Sequence, residues 1–200
     1  MPLILEGIVT TLSPGGELNI APMGPLVDEE LTSFTFRPFQ SSQTYQNLKH
    51  SRSGVFHVVD DVSLIAQGAV DRWTETPATF PAEKIAGRVL SSACRWYEFE
   101  IVDLHDEAPR TTMTARVVHQ GKLHDFWGLN RGKHAVLEAA ILATRVHLLD
   151  PQELRQEFER LNVIVSKTAG PREIAAFELL SSYVTERLSQ PSAIDDGSGR

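Results

Sequence analysis

The sequence predicts a mainly β chain with helices appended, an antiparallel barrel over the first two-thirds followed by a three-helix segment. Two observations carry this reading. Short apolar, β-branched runs separated by Gly, Pro and Asp turns recur up to about residue 120, and the apolar period then changes from two to that of a helix. With 200 residues, 42% of them hydrophobic, the chain is long enough to bury a core without disulfide or metal staples.

The elements follow in order. Leu3–Thr11 is apolar and β-rich, Ser13-Pro14-Gly15-Gly16-Glu17 supplies a turn, and Leu18–Met23 returns, which together predict a hairpin. Leu31–Arg37 alternates with period two, and Pro38-Phe39-Gln40-Ser41 leaves that strand. Ser42-Gln43-Thr44-Tyr45-Gln46-Asn47-Leu48 reads as a capped turn of helix, and Val55–Asp60 as a further strand. Asp60-Asp61 combines a strand end with a helix cap. Tyr97, Phe99 and Ile101 alternate with Glu98 and Glu100, Arg110–His119 alternates in turn, and His105–Pro109 joins the two as a second hairpin.

The helical part opens at Asn130–Leu149, apolar around most of its circumference, with Leu137, Ile141, Thr144 and Leu148 on one face. Asp150-Pro151-Gln152-Glu153 gives an N-cap, a proline at N1 and a glutamate at N3, and Leu154, Phe158, Leu161 and Val165 form the stripe that follows. Gly170-Pro171 opens a third helix with Ile174, Phe177, Val184 and Leu188 inward. The expected organisation is a barrel domain over 1–128, a helical region over 129–190 and a polar, disordered tail over 191–200.

Charge excludes some functions. Nineteen basic and 26 acidic residues give a net −7, and no Lys or Arg precedes Arg37, whereas Glu6, Glu17, Asp28, Glu29 and Glu30 do. A nucleic-acid partner needs a concentrated positive field, and none is present. Cys94 is the only cysteine, which excludes an internal disulfide and multi-thiolate zinc or iron–sulfur sites. No apolar run reaches the ~18 residues of a membrane span and the N-terminus has no positive region, so a cytoplasmic protein is expected.

Chemistry concentrates around residues 37–47. Arg37, the hydroxyls of Ser41, Ser42 and Thr44, and a helix N-terminus converge there, as a phosphate site requires. The same residues also suit ordinary capping, with Ser42 serving its own helix. Elsewhere, His119, His124 and His134 lack the carboxylate spacing of a metal set, Cys94 reads as a buried inert thiol, and Glu138 with Arg145 as a buried or interfacial ion pair. Arg131, Lys133 and His134 crowd one helical turn, as a solvated basic turn or a second anion site. There is no nucleophile elbow, Walker loop or Gly-x-Gly-x-x-Gly.

Several of these pieces, in this order, resemble a known family. Val9-Thr10-Thr11, the Gly-containing turn and Leu18-Asn19-Ile20-Ala21-Pro22-Met23-Gly24 resemble the paired opening strands of the FMN-binding split barrels, which include flavin reductases and pyridoxamine-phosphate-oxidase-like proteins. Thr35-Phe36-Arg37-Pro38 and Ser42–Leu48 are similar to the strand and the "T-x-x-N-hydrophobic" helix that follow there, and Ser53–Val59 to the next strand. Asn130-Arg131, His134–Ala139 and Ala143-Thr144-Arg145 resemble the helical C-terminal signature of an archaeal and bacterial branch classed as a domain of unknown function. The resemblance spans roughly residues 3–188. It implies an antiparallel split barrel, a homodimer and FMN in a groove at the subunit interface. Asn19, Ala21, Pro22 and Met23 would line the isoalloxazine, and Arg37, Ser42, Thr44 and Asn47 would hold the phosphate and ribityl chain. The implied function is that of an FMN-dependent oxidoreductase, no side chain announcing itself as an acid, base or nucleophile. The alternatives are a non-catalytic flavin carrier or sensor, or a barrel that has lost flavin. The Gly-Asp-His element common in NADH-using flavin reductases of this fold is missing, His124-Asp125 occurring in reversed order.

Overall fold

A computed structural model describes residues 3–107 and 110–189, and the tail expected over 191–200 lies outside them. The described residues fall into two compact units that divide after Gly128. The first contains β1 (Leu3–Ile4), β2 (Gly7–Leu12), β3 (Leu18–Met23), β4 (Leu26–Val27), β5 (Ser33–Phe36), α1 (Gln43–Ser51), β6 (Ser53–Val58), α2 (Val62–Val70), β7 (Thr79–Pro81), β8 (Arg88–Leu90), β9 (Arg95–His105) and β10 (Thr112–Lys122). The second contains α3 (Arg131–Ala143), α4 (Pro151–Thr168) and α5 (Pro171–Ser189).

Eight strands form one antiparallel sheet in the order β1-β4-β5-β10-β9-β6-β2-β3, leaving β1 and β3 as edges. The register of the long β9–β10 hairpin shifts at Thr114/Ala115 and Val117/His119, and such irregularities raise local twist and let a sheet curl. Alternate side chains converge on one core: Val9, Phe34, Phe36, Phe56, Tyr97 and Phe99, joined by Tyr45 and Leu48 of α1. Phe34 meets Phe36, Phe56 and Tyr97 edge-on at 5.3–6.0 Å, contacts worth about 0.5–1.5 kcal/mol each beyond the area they bury.

The opposite face is covered as well. Strands β7 and β8 pair into a small hairpin whose Val89 and Phe80 pack on Val55 and Trp96. Glu98, expected as an outward polar residue, is fully buried there. Its carboxylate accepts from the N–H groups of Glu83 (2.8 Å) and Lys84 (2.7 Å) and from the Trp96 indole (3.3 Å), so it organises the loop between β7 and β8.

Four local features differ from the sequence expectation. Strand β5 starts at Ser33 because Leu31 adopts φ +54°, a left-handed turn residue held by the Asp28 side chain. Asp28 accepts from Thr32 N (2.8 Å), the Thr32 hydroxyl (2.5 Å) and Ser33 N (3.1 Å), and the Thr32 hydroxyl leads in pulling its carboxyl below the usual range. The helix expected over Asn130–Leu149 ends at Ala143, and it buries Gly132, Ala135, Val136, Ala139, Ala140 and Ala143, leaving Leu137 and Ile141 half-buried and Leu148 exposed. Small residues allow close packing: a Cβ at Gly132 would lie 2.7 Å from that of Ala169. Helix α5 buries Ala176, Phe177, Leu180 and Val184, with Ile174 exposed and Leu188 half-buried. Glu138 and Arg145 are both exposed, and no ion pair forms between them.

His57 ties the β7–β8 hairpin to the sheet. Its Nδ1–H donates to Ile8 O (3.0 Å) and its Nε2 accepts from Leu90 N (3.1 Å), an arrangement only the neutral ring satisfies. Burial pushes its pKa down to about 4. An unfolded histidine titrates near 6.5, so the unfolded chain binds the extra proton between these values. The stabilisation from His57 is therefore complete above pH 6.5 and is lost as pH falls through about 4, amounting to roughly 3 kcal/mol. Urea unfolding of wild type and His57→Gln across pH 4–7 should show a shallower slope for the variant, whereas parallel curves would contradict this assignment.

Candidate functional site

The most connected polar cluster lies where β2, β3 and α1 meet. Thr11 of β2 faces Asn19 of β3 across the ladder. The one-turn spacing of Thr44 and Asn47 puts both on one side of α1, facing that pair. Asn19 Nδ2 donates to the hydroxyls of Thr11 (3.2 Å) and Thr44 (3.1 Å), and Asn47 Nδ2 donates to Thr11 (3.0 Å). Gln43 Nε2 completes the set by donating to Asn47 Oδ1 (2.7 Å). Thr11, Thr44 and Asn47 are buried. Breaking any link would strand a buried polar group, at about 1–3 kcal/mol.

Strand β3 carries this cluster along an open edge. All six of its residues are half-buried, and one side of its backbone has no strand partner. Asn19, Ala21 and Met23 share one face, with Met23 packed against the barrel core. Pro22 points the other way, beneath α2: a Cβ at Gly68 would lie 2.9 Å from Pro22 Cδ, so only glycine permits this approach. Among the residues expected to line a ring, the structure thus places Asn19, Ala21 and Met23 together and Pro22 on the reverse face. Proline suits an edge, since no ladder N–H is lost there.

The segment that leads into α1 carries a cation. Arg37 follows β5 directly and is exposed, and none of the described residues pairs with its guanidinium. Helix α1 begins six residues later, with no acid in its first turn. Its Tyr45 N–H is taken by Ser42 Oγ (3.2 Å), which leaves the Gln43 and Thr44 N–H groups at the open end of the helix. The Ser42 hydroxyl also donates to Phe39 O (2.8 Å), so it is occupied on both sides as a cap.

Sequence reasoning missed what fixes α1 from the far side. Lys49 Nζ lies 2.8 Å from Asp106 Oδ2 and 3.0 Å from the Tyr45 hydroxyl, which itself donates to Asp106 (2.8 Å). Hydrogen bonding to Lys49 holds the Asp106 carboxyl below its ordinary value, and Asp106 in turn pushes the Lys49 pKa up. Gln40 Nε2 donates to Asp106 O (2.5 Å), and Thr111 bonds Pro38 O through both its N–H (3.0 Å) and its hydroxyl (2.9 Å). The segment that carries Arg37 and α1 is therefore tied to the β9–β10 hairpin. The i, i+4 pair Tyr45/Lys49 was the one sequence signal for this; Asp106 gave none. Elsewhere, Cys94 is buried, His119 sits 3.4 Å from Glu83, and the described residues contain no group of three or more His, Cys, Asp or Glu able to hold a metal. No helix among them is long and apolar enough to cross a membrane.

Comparison with known proteins places this architecture. An FMN-bound protein from Methanosarcina mazei, MM1853, superimposes with a TM-score of 0.78 at 23% identity, over 92% of this chain and 96% of that one. The 2-nitrobenzoate 2-nitroreductase NbaA of Pseudomonas fluorescens aligns with a TM-score of 0.50 at 16% identity, over 61% of this chain and 66% of that one. The curled, open-edged sheet is thus a split barrel. Family models described as protein of unknown function (DUF447), N-terminal domain, and protein of unknown function (DUF447) match residues 5–124 and 130–182. With both models matched in order along one chain, the protein belongs to the DUF447 family.

Proposed function

We propose that this chain binds FMN along β3 and α1 and serves in oxidoreduction. The observation that carries the reading is the donor set at that junction. An unpaired guanidinium at Arg37 and the open N-terminus of α1 suit a phosphate, and the Asn19–Thr11–Thr44–Asn47 cluster suits a polyhydroxyl chain. The free edge of β3 offers backbone donors and acceptors to the polar rim of a flat heterocycle, beside Ala21 and Met23. The family likeness to an FMN-bound protein supports the same choice.

When bound, FMN supplies the hydride or electron chemistry. The chain's own residues bind, orient and exclude water. Arg37 would neutralise the phosphate together with the N–H groups of Gln43 and Thr44. Asn19 and Thr44 would fix the ribityl chain, while Ser42 serves the helix and Pro22 anchors β3 to α2. A ring on a half-exposed edge strand stays open to water in a monomer, and a second copy covering it is the reading we adopt, making the unit a homodimer.

Fluorescence titration with FMN and riboflavin at fixed salt tests this. Charge-assisted hydrogen bonds contribute about 1.5–3 kcal/mol, so Arg37→Ala should weaken FMN by roughly one to two decades. Thr44→Ala should cost less, about 0.5–1.5 kcal/mol for a neutral hydroxyl. Riboflavin, lacking the phosphate, should bind weakly and be nearly indifferent to Arg37→Ala. Equal losses for both ligands would remove Arg37 from the phosphate site, and a wild type that binds neither would refute the flavin reading. For the redox role, anaerobically photoreduced protein should pass its electrons to an added quinone or nitroaromatic acceptor within seconds. Reduced protein that stays reduced would instead mark a carrier.

A further inference from the structure

A phosphate monoester carries a charge of about −1.5 to −2 near neutrality, and a chain with a net −7 must gather cations locally to hold it. Arg37 supplies one. Lys49 of α1 is bonded to Asp106 at 2.8 Å, and His105 at the end of β9 lies 2.9 Å from Asp103, so both already serve carboxylates. Arg110, just before β10, supplies a second cation. Its backbone forms an antiparallel bridge with Phe39. Its Nε–H donates to Arg37 O (3.2 Å), and its guanidinium carbon lies 5.5 Å from the centre of the Phe39 ring. The two hydrogen bonds from Thr111 to Pro38 O hold this bridge in register.

Side chains alternate across that bridge. Pro38 and Thr111 are buried, whereas Arg37, Phe39 and Arg110 are exposed, so these three share the outer face. Phe39 stands opposite Arg110. Arg37, two residues away, is the diagonal neighbour of Arg110, a spacing of about 7–8 Å in a regular ladder and within reach of two arginine side chains. With Nε bonded to the backbone, the two Nη groups of Arg110 form the end of a fixed planar fork, the geometry that takes two phosphate oxygens. No carboxylate among the described residues pairs with either guanidinium. Phe39 also reaches the start of α1, its carbonyl accepting from the Ser42 N–H (3.0 Å) and hydroxyl (2.8 Å).

We infer that Arg110 is a second phosphate-binding residue, its guanidinium fork gripping the FMN monoester beside Arg37 while Phe39 serves as the platform that holds the fork in place. The inference rests on the FMN reading above. It adds the residue that raises the positive charge of the site to match a phosphate dianion.

The test is fluorescence titration of the full-length Arg110→Gln variant with FMN and with riboflavin, at fixed salt and with folding followed by circular dichroism. Loss of a charge-assisted contact should weaken FMN at least about tenfold and change riboflavin by less than about twofold. In an Arg37→Ala background, Arg110→Gln should weaken FMN further, which a residue that merely positions Arg37 would not do. An FMN affinity untouched by Arg110→Gln while Arg37→Ala lowers it selectively overturns the role of Arg110 and leaves the flavin reading standing. No further loss in the double variant, or equal losses for FMN and riboflavin on Arg110→Gln, does the same. A wild type that binds neither flavin overturns both. Should Arg110→Gln fail to fold, Arg110→Lys decides. It keeps the charge and loses the fork, so FMN should weaken with riboflavin unchanged, and a wild-type FMN affinity would refute the grip.

Discussion

The hydrogen-bonded cluster of Thr11, Asn19, Thr44 and Asn47 is the constraint on which the candidate site depends. It joins an edge hairpin to a helix through three buried side chains and the half-buried Asn19, which must be satisfied together. Each bond contributes only about 1 kcal/mol net, but an unmade one costs about 1–3 kcal/mol, so the arrangement that satisfies every member is sharply preferred. That preference sets the position of the α1 N-terminus relative to the open edge of β3. A flavin nucleotide has the same two-ended demand, a flat polar-rimmed ring at one end and a dianion at the other.

The remainder of the unit keeps that relation rigid while leaving the edge free. The Lys49–Asp106–Tyr45 contacts and the Thr111–Pro38 bonds tie the approach to α1 to the long hairpin. On the far side of the sheet, His57 and Glu98 are fully buried and bonded to the backbone of other segments. They fasten the β7–β8 hairpin over one face, as Gly68 and Pro22 fasten α2 to β3. Covering the back of β3 this firmly lets its edge stay uncovered without the strand fraying.

What the sequence disclosed was local, and what it concealed was long-range. Strand β3, the β9–β10 hairpin and the caps at Ser42 and Asp150 were legible because turn and capping chemistry acts over a few residues. Asn19 and Asn47 were reached through a family resemblance and Thr44 also through the hydroxyls that crowd the start of α1; in the structure hydrogen bonds join the three to one another and to Thr11. Thr11 escaped notice because a threonine in a strand reads as β-propensity. Strands β7 and β8 were missed because the groups that hold them, Glu98 and His57, bond residues far away in the chain. The inner face of α3 was misread because close packing there depends on alanine and glycine, which an apolar-stripe reading undervalues. For Ser42 the two sequence readings separate in the structure, where both bonding directions of its hydroxyl are taken by its own helix and loop.

The central claim is that a phosphate is held between Arg37 and the open end of α1, and phosphorus NMR of FMN added to the protein tests it most directly. The second phosphate ionisation of a free monoester lies near pH 6. A guanidinium and helix N–H groups favour the dianion, so the bound resonance should be displaced from that of free FMN and should stay in its dianionic position as pH falls from 8 to 5. A bound phosphate that still titrates near pH 6 would contradict the account.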